Sequence, residues 1–271
     1  MKFNCANIAL EVEVTGTGEP VLIIHGFTGS GSAMAPLTEL LGGTRIAPDL
    51  IGHGRSESPI SLDPYSLKNI SLQLSSLMKQ LDASPASIIG YSLGGRIALT
   101  FALSHPEMVK SLALIGTSPG ISNGQERERR LKHDHELAAS ISEAGIGKFI
   151  DTWVAMPMWE SLRQSLTPEQ WHDSITQRTA DHPLGLANSL RASGTGAMPP
   201  LHDILEDLDA PTLLIVGEQD SKFLHIAKEM APRIPRATIE IIANSGHATH
   251  LEQPHATAEA IMPVSYTHLR A

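Results

Sequence analysis

Ser87-Ile88-Ile89-Gly90-Tyr91-Ser92-Leu93-Gly94-Gly95 opens as an apolar run, then sets Ser92 between Gly90 and Gly94. Ser87 to Gly90 has the composition of a strand buried in a sheet, and Arg96 to Leu103 follows with helical periodicity. A Gly-x-Ser-x-Gly pattern at such a junction reads as a nucleophile elbow, a strained strand-to-helix turn that lifts the hydroxyl off the end of the sheet. A Cβ at either glycine would strike the neighbouring strand or helix. With 26 serines and 22 glycines in the chain, chance alone yields about 0.2 such matches, so the flanking strand and helix carry the reading. Without them this is a glycine-rich turn with an incidental serine.

Working outward, 271 residues exceed the usual domain but suit an α/β protein with one core and an insertion. Hydrophobic residues at 41% and charged residues at 18% fit a globular enzyme rather than a disordered chain. The net charge of −9 argues against nucleic acid or an anionic membrane surface, leaving a small-molecule substrate as the expected partner. A lone Cys5 cannot form an internal disulfide and reads as a small buried residue compatible with a reducing compartment. The start lacks a charged-then-apolar leader and no apolar run reaches membrane-spanning length, so the expectation is a cytoplasmic monomer or small homo-oligomer.

Residues 3 to 14 alternate apolar and polar, predicting a hairpin at a sheet edge. Val21-Leu22-Ile23-Ile24 is continuously apolar, as a strand covered on both faces should be. The small-residue loop from His25 to Ser30 then leads to a predicted helix from Ala33 to Leu41, a strand from Thr44 to Leu50 and a helix from Tyr65 to Leu81. After the elbow, strands are predicted at Leu112 to Ile115, Thr212 to Val216 and Ala237 to Ala243. This rhythm implies a mostly parallel sheet flanked by helices. Residues 118–200 break it: a charged helical stretch from Glu126 is followed by all three tryptophans and no buried strand. They read as a helical lid between two halves of a core at 1–117 and 201–262, with the tryptophans serving either a ligand or an ordinary small helical core. Pro263 falls where the last helix should continue, and 263–271 read as a truncated or foreign tail.

A serine hydroxyl needs a base, and a base needs an orienting carboxylate. His247 follows the last predicted strand and Asp220 the one before it, giving the order Ser92, Asp220, His247 at successive strand ends. Glu218 is a rival acid and His250 a rival base, while Asp220 also fits the N-cap of a helix at Ser221. The backbone amides of Phe27 and Leu93 are candidate oxyanion donors. His25 and His53 read as loop-bonding groups. His133-Asp134-His135-Glu136 has metal-ligand residue types, yet residues two apart on a helix point apart, so no metal is expected. Arg96 lies one turn beyond Ser92, and Arg130 and Arg178 could turn inward from the lid. Converging guanidinium groups suit a small polycarboxylate and not a neutral alkyl ester; each alone also reads as a surface salt-bridge partner.

His25-Gly26-Phe27-Thr28-Gly29, Asp49-x-x-Gly52-His53-Gly54-x-Ser56 and Gly90-Tyr91-Ser92-Leu93-Gly94-Gly95-Arg96 resemble the α/β-hydrolase superfamily. Ser118-Pro119-Gly120, Arg130, Trp153 before Pro157, Arg178, Leu190-Arg191-x-x-Gly194-Thr195-Gly196 and Gly217-Glu218-x-Asp220-Ser221-Lys222-Phe223 narrow the resemblance. They look like the 2-succinyl-6-hydroxy-2,4-cyclohexadiene-1-carboxylate synthases, pyruvate-releasing lyases of menaquinone biosynthesis. The resemblance implies that Ser92, activated by His247 and Asp220, removes a proton next to a carboxylate and that pyruvate is eliminated. It further implies that Tyr91, Arg96, Arg130, Trp153 and Arg178 hold the substrate, with no metal or organic cofactor required. A carboxylesterase for small esters and a ligand receptor built on the same fold are the competing readings.

Overall fold

Runs such as Leu22-Ile23-Ile24 and Leu213-Leu214-Ile215 are apolar throughout because both faces of the sheet they build are covered. In the computed structural model, which describes residues 1–265, alternate residues of each run enter opposite cores. Leu22, Ile24, Ile88, Leu112, Leu114, Leu214 and Val216 pack on one face, and Ile23, Ile89, Ala113, Ile115, Leu213 and Ile215 on the other. That is the period-two geometry of a strand with helices on both sides.

Eight strands form one sheet: β1 (Lys2–Cys5), β2 (Ile8–Thr15), β3 (Pro20–Ile24), β4 (Thr44–Pro48), β5 (Ala86–Tyr91), β6 (Val109–Ile115), β7 (Thr212–Gly217) and β8 (Ala237–Ile242). Their order is β1-β2-β4-β3-β5-β6-β7-β8, with β1 and β2 antiparallel at the edge and β4 through β8 mutually parallel. The strand order turns back on itself beside β3 and β5, and a ligand crevice forms at such a reversal, outside the carboxyl ends of the strands.

The helices are α1 (Ala35–Thr38), α2 (Leu67–Gln80), α3 (Leu93–Ser104), α4 (Gly124–Ala144), α5 (Ile146–Val154), α6 (Glu160–Ser165), α7 (Pro168–Thr179), α8 (Pro183–Ser193), α9 (Ser221–Met230), α10 (Thr249–Glu252) and α11 (Pro254–Ser265). Ser66 caps α2 by accepting from the Asn69 amide, and the apolar stripe Leu67, Ile70, Leu74, Leu77 turns onto the sheet. The helix predicted from Ala33 to Leu41 is instead a 3₁₀ turn at Ser32–Met34 followed by the single turn α1. Gly42-Gly43 lies four residues past α1, and the positive φ of Gly43 marks the turn into β4. Between β6 and β7 the chain contains α4 to α8, which bury their own small cluster of Ala138, Ile141, Phe149, Ile150, Leu186 and Leu190. At the other end α11 passes through Pro263 to Ser265, two residues past it, so the missing amide lies in the final turn. Residues 266–271 of the suspected tail lie outside the described residues.

Candidate active site

Ser92 joins β5 directly to α3 with φ +51° and ψ −105°, a strained backbone for a residue bearing a Cβ. Its amide is tied to the Ile115 carbonyl at 2.8 Å, which fixes the turn against β6. The tightness explains the glycine before it: a Cβ on Gly90 would lie 2.5 Å from the Gly94 carbonyl oxygen.

His247 reaches this turn from the loop after β8. Its Nε2 lies 3.1 Å from Ser92 Oγ, and its Nδ1 lies 2.7 Å from Asp220 Oδ2. With Nδ1 donating to the carboxylate, Nε2 is left to accept from the serine hydroxyl. The ring is almost fully buried and Asp220 nearly so, which keeps water from competing for either bond. The other Asp220 oxygen, Oδ1, accepts from the Phe223 amide at 3.2 Å, so one carboxylate both caps α9 and orients the imidazole. Glu218 accepts instead from the Asn244 amide. His250 is buried against Tyr91, ring centroids 4.2 Å apart, and burial followed by repulsion from His247 pushes its pKa down to about 3. Sequence reasoning missed Glu252, whose buried carboxylate accepts from the Gly246 and Ala248 amides at 2.7 and 3.0 Å and so grips the loop on both sides of His247. No local pattern announces that role, because its acceptors' partners are backbone groups.

Phe27 and Leu93 both line the same cavity, and among the described residues their amides donate to no protein acceptor. His25 and His53 lie behind them as neutral rings. His25 Nδ1 donates to the Gly26 carbonyl and Nε2 accepts from the Leu50 amide, while burial lowers the two pKa values to about 4 and about 3.

The cavity above Ser92 has a volume of about 400 Å³ and is lined by Tyr91, Trp153, Met156, Met158, Trp159, Phe223 and His247 among others. One side is cationic. Arg96 is buried, donates to the Ser193 carbonyl at 2.6 Å, and has its pKa pulled down to about 10 by burial and by repulsion from Arg130. Arg130 pairs through Nε with the buried Asp134 at 2.7 Å, and Asp134 also accepts from the Gly196 amide. Lys222 completes the group, its pKa lowered by burial and by Arg130; sequence reasoning did not single it out because it reads as an ordinary first-turn helix residue. Within His133-Asp134-His135-Glu136, Asp134 points inward to Arg130, His133 lines the cavity, and His135 and Glu136 are exposed. Trp153 and Trp159 face the cavity, whereas Trp171 does not line it. Arg178 is the exception to the predicted set: it does not line this cavity. It opens onto a neighbouring one of about 380 Å³, donates to Thr28 Oγ1, and lies over the Trp159 ring.

A mostly parallel sheet with a serine elbow after β5, a carboxylate after β7 and an imidazole after β8 defines the α/β-hydrolase class, and the family model of the alpha/beta hydrolase fold matches residues 19–254. The chain belongs to that family, in its MenH-like branch, and is an enzyme of that kind. It is 37% identical over 247 residues to a putative 2-succinyl-6-hydroxy-2,4-cyclohexadiene-1-carboxylate synthase of Bacillus subtilis (strain 168), covering 91% of this chain and 90% of that one. The structure of MenH from S. aureus superposes with a TM-score of 0.88 at 31% identity, over 93% of this chain and 97% of that one. A malate-bound thermophilic esterase from Thermogutta terrifontis follows at TM-score 0.84 and 26% identity, over 98% of both chains. Among the described residues no helix is long and apolar enough to cross a membrane.

Proposed function

We propose that this enzyme eliminates pyruvate from a cyclohexene tricarboxylate to give 2-succinyl-6-hydroxy-2,4-cyclohexadiene-1-carboxylate. His247 Nε2 takes the Ser92 proton as Ser92 Oγ takes a proton from a ring carbon, Asp220 stabilises the imidazolium, and the electron pair released forms the new ring double bond. The ring C–O bond then breaks, and the His247 imidazolium gives up its proton to the leaving enolate, directly or through water, to yield pyruvate and the neutral imidazole. Negative charge that builds on the acidified carbon's neighbouring carbonyl is met by the Phe27 and Leu93 amides. Tyr91 and Trp153 wall the ring.

The observation that carries this reading is the meeting of Arg96, Arg130 and Lys222 on one side of the triad cavity. A polycarboxylate supplies counter-charges to the buried Arg96, which pairs with no carboxylate among the described residues, and to Lys222, and adds a partner to Arg130 beside Asp134, whereas a neutral ester supplies none. A second reading, hydrolysis of small esters, is favoured by the likeness to the malate-bound esterase and by the suitability of the same relay for acyl transfer. The deciding measurement compares pyruvate release from the tricarboxylate with hydrolysis of short p-nitrophenyl esters, in wild type and Arg96→Ala. Loss of pyruvate release alone upholds the lyase; equal rates in both proteins with both substrates removes it.

A further inference from the structure

Arg178 comes from α7, in the inserted helices, and is 8% exposed. Among the described residues no carboxylate pairs with it at salt-bridge distance; Nε donates to Ser174 Oγ on its own helix at 3.4 Å, and two contacts reach beyond that helix. Nη1 donates to Thr28 Oγ1 at 2.5 Å, and the planar group lies 4.6 Å from the centre of the Trp159 ring. Both partners border the triad: Trp159 lines its cavity and meets the His247 ring edge-on at 6.4 Å, and Thr28 is the residue after Phe27.

Thr28 is buried and holds φ +61°, a left-handed conformation that a β-branched residue adopts only where its surroundings impose it. The turn around it is closed by the Gly29 amide bonding to the Gly26 carbonyl at 3.1 Å. The orientation of the Phe27 amide is set by the same few torsions. A left-handed Thr28 therefore needs an anchor, and its side-chain bond to Arg178 is the one the structure records.

We infer that Arg178 is a positioning residue that acts through Thr28: by fixing that strained turn it aims the Phe27 amide at the developing oxyanion. Because Arg178 belongs to the insertion and Phe27 to the sheet core, the bond also makes assembly of the oxyanion site depend on the lid being seated. The same placement separates Arg178 from Arg96, Arg130 and Lys222, which face the substrate's carboxylates directly. The inference rests on the proposed relay, and the following experiment separates the two.

Turnover is measured for wild type, Arg178→Gln, Arg178→Lys, Thr28→Val, Thr28→Ser, the Arg178→Gln/Thr28→Val double variant and Ser92→Ala, using pyruvate release and p-nitrophenyl acetate hydrolysis. Thr28→Val keeps the shape and removes the acceptor. Thr28→Val and Arg178→Gln are each expected to lower kcat about 10- to 100-fold with KM unchanged, the scale of a misaimed oxyanion donor. The double variant is expected to be no slower than the worse single, since both break one bond. Thr28→Ser and Arg178→Lys, which retain an acceptor and a donor, are expected to recover most of the rate. Wild-type kcat in Thr28→Val, multiplied losses in the double variant, or a rise in KM alone in Arg178→Gln would each overturn the inference. Should Arg178→Gln fail to fold, the Thr28 pair decides by itself. Full turnover in Ser92→Ala would instead bring down the proposed relay, whatever the Thr28 variants do.

Discussion

Asp220 divides its carboxylate between structure and chemistry, so the two roles can be separated with one atom exchange. Asparagine at 220 can still accept from the Phe223 amide and cap α9, but it loses the charge that stabilises an imidazolium at His247. Asp220→Asn is therefore expected to melt near the wild-type temperature while kcat falls by about 10⁴-fold, by analogy with the loss when a triad aspartate is neutralised. A lowered melting temperature with intact turnover would reduce Asp220 to a cap. Lys222 gives a second separation. Lys222→Gln is expected to raise KM about tenfold for the tricarboxylate, the scale of one charged hydrogen bond, and to leave hydrolysis of a neutral p-nitrophenyl ester unchanged. Equal effects on both substrates would assign Lys222 to packing. Ser92, Asp220 and His247 were legible in the sequence because each lies within five residues of the end of a segment readable as a strand. Lys222 was not singled out, and Arg178, expected among the substrate-holding residues, does not line the triad cavity, because the direction in which a helix face points is decided by what the helix packs against.

The elements differ in how much of their own form they specify. The central strands announce themselves by mainly apolar runs, since a two-sided core admits a polar residue only where it finds a partner, as Ser111 of β6 does in Ser87 of β5. α1 did not: Ala33 to Leu41 reads as about two and a half helical turns, while the chain forms one 3₁₀ turn and one α turn before Gly42-Gly43 and the entry into β4. In the insertion, α7 carries a complete capping box: Thr167 accepts from the Gln170 amide at 3.2 Å and Gln170 accepts from the Thr167 amide at 2.9 Å. Thr167→Ala is expected to cost about 1 kcal/mol locally. The check is amide hydrogen exchange, which should quicken over residues 168–171 and leave β5 and β6 unchanged. Uniform acceleration across the chain would mean that the insertion does not open independently of the sheet.

At the scale of the whole molecule, acid acts through imidazoles the fold keeps dry. Burial lowers the pKa of His25 to about 4 and of His53 and His250 to about 3. Between these values and the ordinary 6.5 the unfolded chain takes up three protons that the folded one refuses, so this stabilisation is complete above pH 6.5 and is lost as the pH falls. Asp181, pushed up to about 7 by burial, works the other way by holding a proton in the fold that the unfolded chain has released. The net is about two protons, or about 3 kcal/mol per pH unit near pH 5 from these four groups. The thermal midpoint is expected to drop steeply from pH 7 to pH 5; an unchanged or higher midpoint at pH 5 would show that these rings are not held neutral. The sequence by itself determined the parallel sheet, the inserted helices and the three strand ends that carry hydroxyl, carboxylate and imidazole, because strand burial and tight-turn geometry are written in neighbouring residues. Only the tertiary structure decided which cations share the cavity, that Glu252 grips the His247 loop, and that Arg178 turns to Thr28. Those outcomes depend on side chains brought together across long stretches of chain, where no local pattern constrains who meets whom.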